Sequence, residues 1–334
     1  MNTTHMITQR RAKAQGPDEP RSRALVYIRN NKIRRMAQRL LFSAGFDMET
    51  VSTLVPLAEK TDERCRVLLY FVEDMAQWEK ESALLDQIIS RSPGVMVFYL
   101  LMTPDRKVIA DVLANPGFAN IHSPLDVEDL FISLRKAFSG DIFGVEKYLS
   151  WGSLTKTHLL TNSRQKDPLI DELRDFTMRL CGNNHIAERV STVSDELVMN
   201  AFFNAPVDAN REHRYRHLDR SNTVTLGPEE QVEFSYGSNG RVLVLGCRDP
   251  FGSITGETIV NQLGRCFMTP LAEISHETGG AGLGLYIAYN YAAKMVVNLH
   301  PGTCTEFIAL FDLEISLREL QLRTRSLNIF EATS

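Results

Sequence analysis

Glu196, Asn200 and Asn204 stand four residues apart. On a helix that spacing lines a carboxylate and two amides along one stripe, a donor set suited to a cation and its waters. A solvated polar face has the same spacing, so the stripe gains meaning only beside other segments. Asp249, in Arg248-Asp249-Pro250-Phe251-Gly252, ends an apolar run. A carboxylate there can accept a hydrogen bond from an exocyclic amine, and Gly252 would let backbone approach a flat ring closely. An ordinary turn aspartate before proline is the competing reading. Gly279-Gly280-Ala281-Gly282-Leu283-Gly284-Leu285 opens a helical pattern. Its glycines free successive backbone N–H groups to face a phosphate, and a helix N-terminus adds partial positive charge. The turn does not follow a strand, which argues against a dinucleotide fingerprint.

The elements that must position these groups are readable from periodicity. Asp167 and Pro168 predict an N-cap and first helical position; Leu169, Leu173, Phe176 and Leu180 form one face and Gly182 ends the helix. A second helix from about Ala187 has Ile186, Val190, Val193 and Leu197 at intervals of three to four. Gln231 to Tyr236 and Arg241 to Cys247 alternate as strands around the turn Gly237-Ser238-Asn239-Gly240, and Phe307 to Phe311 reads as a later strand. In the first half, Leu25 to Ile28, Val67 to Val72 and Val95 to Leu100 are apolar runs separated by helical stretches. Such runs predict a parallel sheet covered on both faces, a doubly wound domain over about 24 to 139.

The chain has 334 residues, 37 Lys+Arg against 41 Asp+Glu, a net charge of -4 and 43% hydrophobic residues. This length predicts two domains, each able to bury its own core. A pI near 6.1 gives no global footprint for nucleic acid. The five cysteines lie far apart with no zinc spacing, which predicts reduced, cytoplasmic usage. No run of 18 apolar residues predicts a membrane span, and residues 1–23 read as a polar, flexible tail without the apolar core of a signal peptide. Residues 140–166 read as a linker and 313–334 as a C-terminal tail. His158, within the linker, reads as a surface-loop histidine.

The first half resembles the receiver domain of bacterial two-component systems over about 115 residues. Asp74 stands where receivers carry the phosphoacceptor and Thr103 where they carry Ser or Thr. Arg29, Asn30 and Asn31 replace the acidic pair, and His122-Ser123-Pro124 replaces the Lys-Pro. Phosphoryl transfer to an aspartate needs a divalent metal held by hard carboxylate oxygens. The resemblance therefore implies a degenerate receiver that binds a partner or dimerises.

The second half resembles the GHKL ATPase superfamily, which includes the ATP domains of gyrase and histidine kinases, over about 167 to 312. Glu196-Leu197-Val198-Met199-Asn200-Ala201 matches its N box, Asp249-Pro250-Phe251-Gly252 its first glycine box, and Gly280-Ala281-Gly282-Leu283-Gly284 its second, in that order. The resemblance implies an α/β sandwich that binds ATP and Mg²⁺. Asn200 would ligate the metal and Asp249 hold the adenine amine. Gly252 would approach the base, and Gly280, Gly282 and Gly284, with Leu283, would cradle the phosphates. Glu196 would be the general base, and Thr255 to Thr278 the lid. Many members place a basic or His side chain shortly after the N-box Asn; here Phe203 and Asn204 stand there. The helix pair without a phosphoacceptor hairpin is most similar to bacterial anti-sigma-factor serine kinases. It implies a protein-kinase or anti-sigma-type regulator acting on a partner such as a sigma factor or its antagonist. A histidine-kinase-like ATPase lacking its own phosphoacceptor and a non-catalytic scaffold are the alternatives. The segment Asp208 to Glu230, with Arg211, Arg214, Arg216, Arg220, His213 and His217, reads as an inserted solvated loop or a docking surface for an acidic partner.

Overall fold

The computed structural model describes residues 22–54, 65–92, 94–102, 106–114, 119–268, 282–315, 319 and 325–332. In the first half β1 (Arg23–Tyr27), β2 (Asp47–Thr50), β3 (Cys65–Val72), β4 (Met96–Leu101) and β5 (Ala119–His122) run parallel in the order β2-β1-β3-β4-β5. That is the flavodoxin-type doubly wound order, as the buried apolar runs require. Helices α1 (Asn31–Ala44) and α4 (Val127–Ser139) cover one face through Ala37, Leu41, Leu130 and Leu134. Helices α2 (Met75–Arg91) and α3 (Arg106–Leu113) cover the other through Trp78, Leu85, Val108 and Val112.

The second half contributes β6 (Thr155–Leu160), β7 (Val232–Ser238), β8 (Val242–Asp249), β9 (Lys294–His300), β10 (Cys304–Asp312) and β11 (Ser326–Glu331). Helices α5 (Lys166–Cys181), α6 (Asn184–Met199), α7 (Gly256–Met268) and α8 (Leu283–Tyr291) lie on one face of these strands. Alternation on β8 and β9 assigns the faces. Leu243, Leu245, Met295 and Val297 pack under the helices, while Val244 and Val296 face Ile142, Val145 and Tyr148 on the other side.

Among the described residues the eleven strands join in one mixed sheet, ordered β2-β1-β3-β4-β5-β11-β9-β10-β8-β7-β6. This departs from the expectation of two domains with separate cores. The buried residues divide by sheet face, and each of the two cores draws on both halves of the chain. The reason lies in residues 313–334, read as a tail. Ser326–Glu331 forms β11, which is parallel to β9 and antiparallel to β5 at Leu327 opposite Ile121.

Residues 140–166 are likewise more than a linker. Val145–Tyr148 makes a 3₁₀ turn on the sheet, seated where a Cβ on Gly246 would come within 2.5 Å of Val145. Thr155–Leu160 is the edge strand β6, paired with β7, and its polar sequence hides it from a hydrophobicity pattern. His158 sits on that strand rather than on a loop, with Nε2 3.2 Å from Glu172 Oε1. Asp167 lies in the first turn of α5 instead of capping it. The preceding 3₁₀ turn, capped by Asn162, starts the helix at Lys166, two residues before Pro168. Gly182 closes α5 in the left-handed region, as expected.

Leu327 is fully buried between the halves. Leu327→Ala should cost about 2–5 kcal/mol, the range for truncating a buried leucine, measured as the shift in urea unfolding free energy. A true tail residue would leave the curve unchanged.

Candidate functional site

One cleft of about 800 Å³ opens at the helix-covered face of the second half. Glu196, Asn200 and Asn204 line it from α6 and its extension, Asp249 from the end of β8, and Gly282, Leu283 and Gly284 from the start of α8. Gly280 and residues 269–278 of the expected lid lie outside the described residues, as does Thr103; the earlier part of that segment is helix α7, Gly256–Met268, rather than a loop.

The N-terminus of α6 is earlier than the apolar period suggests. Asn183 caps it by accepting from His185 N at 3.0 Å and Ile186 N at 3.4 Å. Its far end is not a regular α-helix. Asn200–Asn204 is a π turn closed by Ala205 N donating to Asn200 O at 2.9 Å. Such turns interrupt helices at functional sites often. Within it Asn204 Nδ2 donates to Asn200 Oδ1 at 2.6 Å, so the second amide orients the first.

Arg220 was not foreseen as a site residue. Its guanidinium grips Glu196 with both arms, Nη1 to Oε2 at 2.8 Å and Nη2 to Oε1 at 3.0 Å, and Nη2 also reaches Asn200 Oδ1 at 3.3 Å. The pair with Glu196 pushes the Arg220 pKa up. Arg220, His213, Arg216, Leu218 and Asp219 all line the cleft. The segment 208–230 is therefore a wall of the site, where the sequence suggested a solvated loop. Its basic density was the visible signal; its direction was not. The wall is pinned by Ser163 N donating to Val224 O at 2.9 Å, Leu226 N to Thr161 O at 2.8 Å, and Arg211 Nη2 to Gly252 O at 3.1 Å.

Asp249 is almost wholly buried, and its donors are backbone N–H groups: Phe251 N at 2.9 Å and Gly252 N at 3.3 Å, both to Oδ1, and Thr305. Desolvation outweighs these bonds and raises its pKa to about 7. Gly252 itself is not part of the cleft lining. With φ +53, its Cβ would fall 2.4 Å from His300 O and 2.6 Å from Thr303 N, so the β9–β10 turn already requires glycine here. Gly282 caps α8 at φ 94. Gly284 lies against Glu196, where a Cβ would come within 1.8 Å of Oε1.

The fit to a nucleotide and cation can be judged on these groups. A magnesium ion keeps several waters and needs few protein oxygens beyond the phosphates, and Asn200 Oδ1, in the cleft, is such an oxygen. A buried carboxylate and a helix N-terminus with left-handed Gly282 suit an amine-bearing base and a phosphate. Among the described residues no cluster of three His, Cys, Asp or Glu could hold a metal by itself, and no helix is long and apolar enough to cross a membrane.

In the first half, Asp74 caps α2, accepting from Gln77 N at 2.8 Å. Asn30 caps α1, and Asn31 accepts from Arg34. Arg29 pairs with Glu81 and donates to Tyr27 OH at 2.7 Å, while Tyr27 and Tyr70 each donate to Glu81 at 2.8 Å. The exit of β1 thus carries a guanidinium paired to a buried carboxylate.

No family model and no curated relative matches this chain. Among solved structures it is similar to a response regulator from Thermotoga maritima, at 16% identity and TM-score 0.31, covering 36% of this chain and 99% of that one. An orphan response regulator of H. pylori matches at 13% identity and TM-score 0.30, with the same coverage.

Two outcomes follow from this chemistry. The folded state keeps the Asp249 proton up to about pH 7, whereas the unfolded chain releases it near 3.8. Between those values the folded state holds more protons, so this group's contribution to stability falls as pH rises through the window. Asp249→Asn should therefore gain thermal stability over the native protein as pH goes from 5 to 8; a gap independent of pH would contradict the buried environment. Acetyl phosphate with excess Mg²⁺ should leave Asp74 unmodified, and an aspartyl phosphate found by mass spectrometry would overturn that expectation.

Proposed function

We propose that this chain is an ATP-binding signalling protein of the GHKL type that transfers phosphoryl to a hydroxyl on a partner protein. The observation that supports it best is the meeting of three distant segments in one cleft: Glu196 and Asn200 on one helix, Asp249 at a strand exit, and Gly282 to Gly284 at a helix N-terminus. Their order along the chain is that of the superfamily's boxes. In this reading Asp249 accepts from the adenine amine, Asn200 gives one oxygen to Mg²⁺, and the α8 N-terminus faces the phosphates. Bound Mg²⁺ would neutralise charge on the phosphate oxygens.

Glu196 orients the attacking hydroxyl and takes its proton as the new P–O bond forms and the bond to the ADP oxygen breaks. Neutral imidazole already offers a lone pair, so a histidine acceptor needs such a base less. His158, paired to Glu172 on an edge strand, has no dimerisation hairpin around it. The partner is a regulatory protein of the sigma-factor or antagonist kind, and the first half, with Arg29 neutralised by Glu81, serves as a docking or dimerisation unit rather than a phosphate acceptor. A second reading, an ATP-gated scaffold without turnover, is favoured by one feature: Arg220 occupies both Glu196 oxygens.

Calorimetry and turnover separate these readings. Asn200→Ala should weaken ATP binding in Mg²⁺ but leave Mg²⁺-free binding nearly intact. Glu196→Gln should keep ATP binding while losing about 10²-fold or more in transfer, the scale of a general base. Undetectable ATP binding by the native protein would sink both readings, and full transfer by Glu196→Gln would sink the hydroxyl-kinase one.

A further inference from the structure

Arg220 holds the same three oxygens that the proposed chemistry needs, the two of Glu196 and Oδ1 of Asn200. While the guanidinium is there it takes an acceptor position on each of these three oxygens. Asn200 Oδ1 already accepts from Asn204 as well, which leaves it no capacity for a cation. The arginine must therefore leave before Asn200 can take a cation, and a phosphate, with paired anionic oxygens, receives the freed fork better than water does.

The surroundings favour that exchange. The Arg220 side chain is about half exposed, against 14% for that of Glu196, so it can turn without opening the core. Its backbone is fixed, because the segment is tied to Thr161 and Ser163 on one side and to Gly252 on the other. Its neighbour Asp219 is committed to Ser221 N at 2.8 Å. Among the cleft-lining residues the remaining carboxylate, Asp249, is buried beneath backbone donors. A phosphate chain entering the cleft is then the anion to which the fork can move, and its planar donors match phosphate oxygens in pairs. The α6 extension offers only the neutral Asn204 in that region.

Resting on the ATP reading above, we infer that Arg220 is a latch residue. It binds Glu196 and Asn200 in the nucleotide-free protein and turns onto the phosphate chain when a nucleotide enters, releasing the base and supplying the cation that the helix lacks. The general base is thereby engaged elsewhere until the phosphates arrive.

The test uses the full chain in EDTA, with inorganic tripolyphosphate and adenosine as separate calorimetric probes. Arg220→Ala should lose about tenfold or more in tripolyphosphate affinity while adenosine affinity stays within about twofold, the scale of one charge-assisted hydrogen bond. Retained adenosine binding also shows that the variant is folded. Arg220→Lys, which keeps the charge without the fork, should recover part of the loss. Glu196→Gln should gain tripolyphosphate affinity, because the fork no longer has to leave a carboxylate, and the gain should vanish in the double variant with Arg220→Ala. A merely structural role for Arg220 would not produce these opposite signs. Unchanged tripolyphosphate binding in Arg220→Ala and Arg220→Lys overturns the latch, and so does a Glu196→Gln gain that persists in the double variant. If native protein binds adenosine but not tripolyphosphate, the latch falls and the nucleoside site stands. If it binds neither, the ATP reading falls and the latch with it.

Discussion

β11 closes two sheet edges at once, running parallel to β9 from Ser326 opposite Lys294 to Glu331 opposite Leu299 and meeting β5 at Leu327 opposite Ile121. Without it, each half would present an unpaired edge. Its polar side chains bind the halves as firmly as its backbone. Ser326 Oγ accepts from Ser123 N at 3.0 Å, Ser133 Oγ donates to Asn328 Oδ1 at 3.4 Å, and Asn120 Oδ1 accepts from Ile329 N at 3.2 Å. All of these side chains are buried. A buried polar group without a partner costs on the order of 1–3 kcal/mol, so sliding this strand by one residue would be penalised at several positions together.

The same seam carries buried charge. Lys136 Nζ donates to Tyr148 OH at 2.9 Å and Asn298 Oδ1 at 2.8 Å, and Asn298 Nδ2 donates to Glu306 Oε2 at 2.7 Å. Burial pushes the Lys136 pKa well down and that of Glu306 up. Lys294 pairs with Asp129 across the halves, and burial holds His122 well below the ordinary imidazole range. This network reaches the cleft through one strand. On β10, Glu306 faces the seam opposite Arg248, and the preceding residue, Thr305, stands opposite Asp249 and donates its backbone N–H to it. Alternation along a single strand thus sets the buried carboxylate of the cleft and the charge network of the interface on opposite faces.

The grouping of the cleft residues was legible in the sequence where it depended on spacing. Glu196 and Asn200 need only one helix, and the Asp249 and Gly282 signals need only a strand exit and a helix start. Parallel strands were legible because burial on both faces leaves continuous apolar runs. What was hidden depends on contacts between distant residues. Ser326-Leu327-Asn328-Ile329-Phe330 alternates like a strand, but its polar positions are core positions only because His122, Ser133 and Asn120 wait for them. The β6 sequence, Thr-Lys-Thr-His, is polar because an edge strand meets solvent. The π turn at Asn200 leaves no mark in a 3.6-residue period. Arg220 was noticed among other basic residues, yet only the pinning of residues 208–230 to Thr161, Ser163 and Gly252 turns it inward.

Two glycines show how tightly the cleft is specified. A side chain at Gly284 would collide with the Glu196 carboxylate, which is already held in place by the Arg220 fork. The start of α8 can therefore sit this close to α6 only with glycine there. Gly252 has no room for a different reason, since the turn from His300 to Cys304 fills its Cβ position and Gly302 N donates to Gly252 O at 2.9 Å. The first glycine sets the spacing between the carboxylate and the helix N-terminus; the second locks the Asp249 turn to the end of β9. A carboxylate, a buried acceptor and a helix N-terminus drawn from separate segments keep a constant geometry because backbone, rather than mobile side chains, fills the spaces between them.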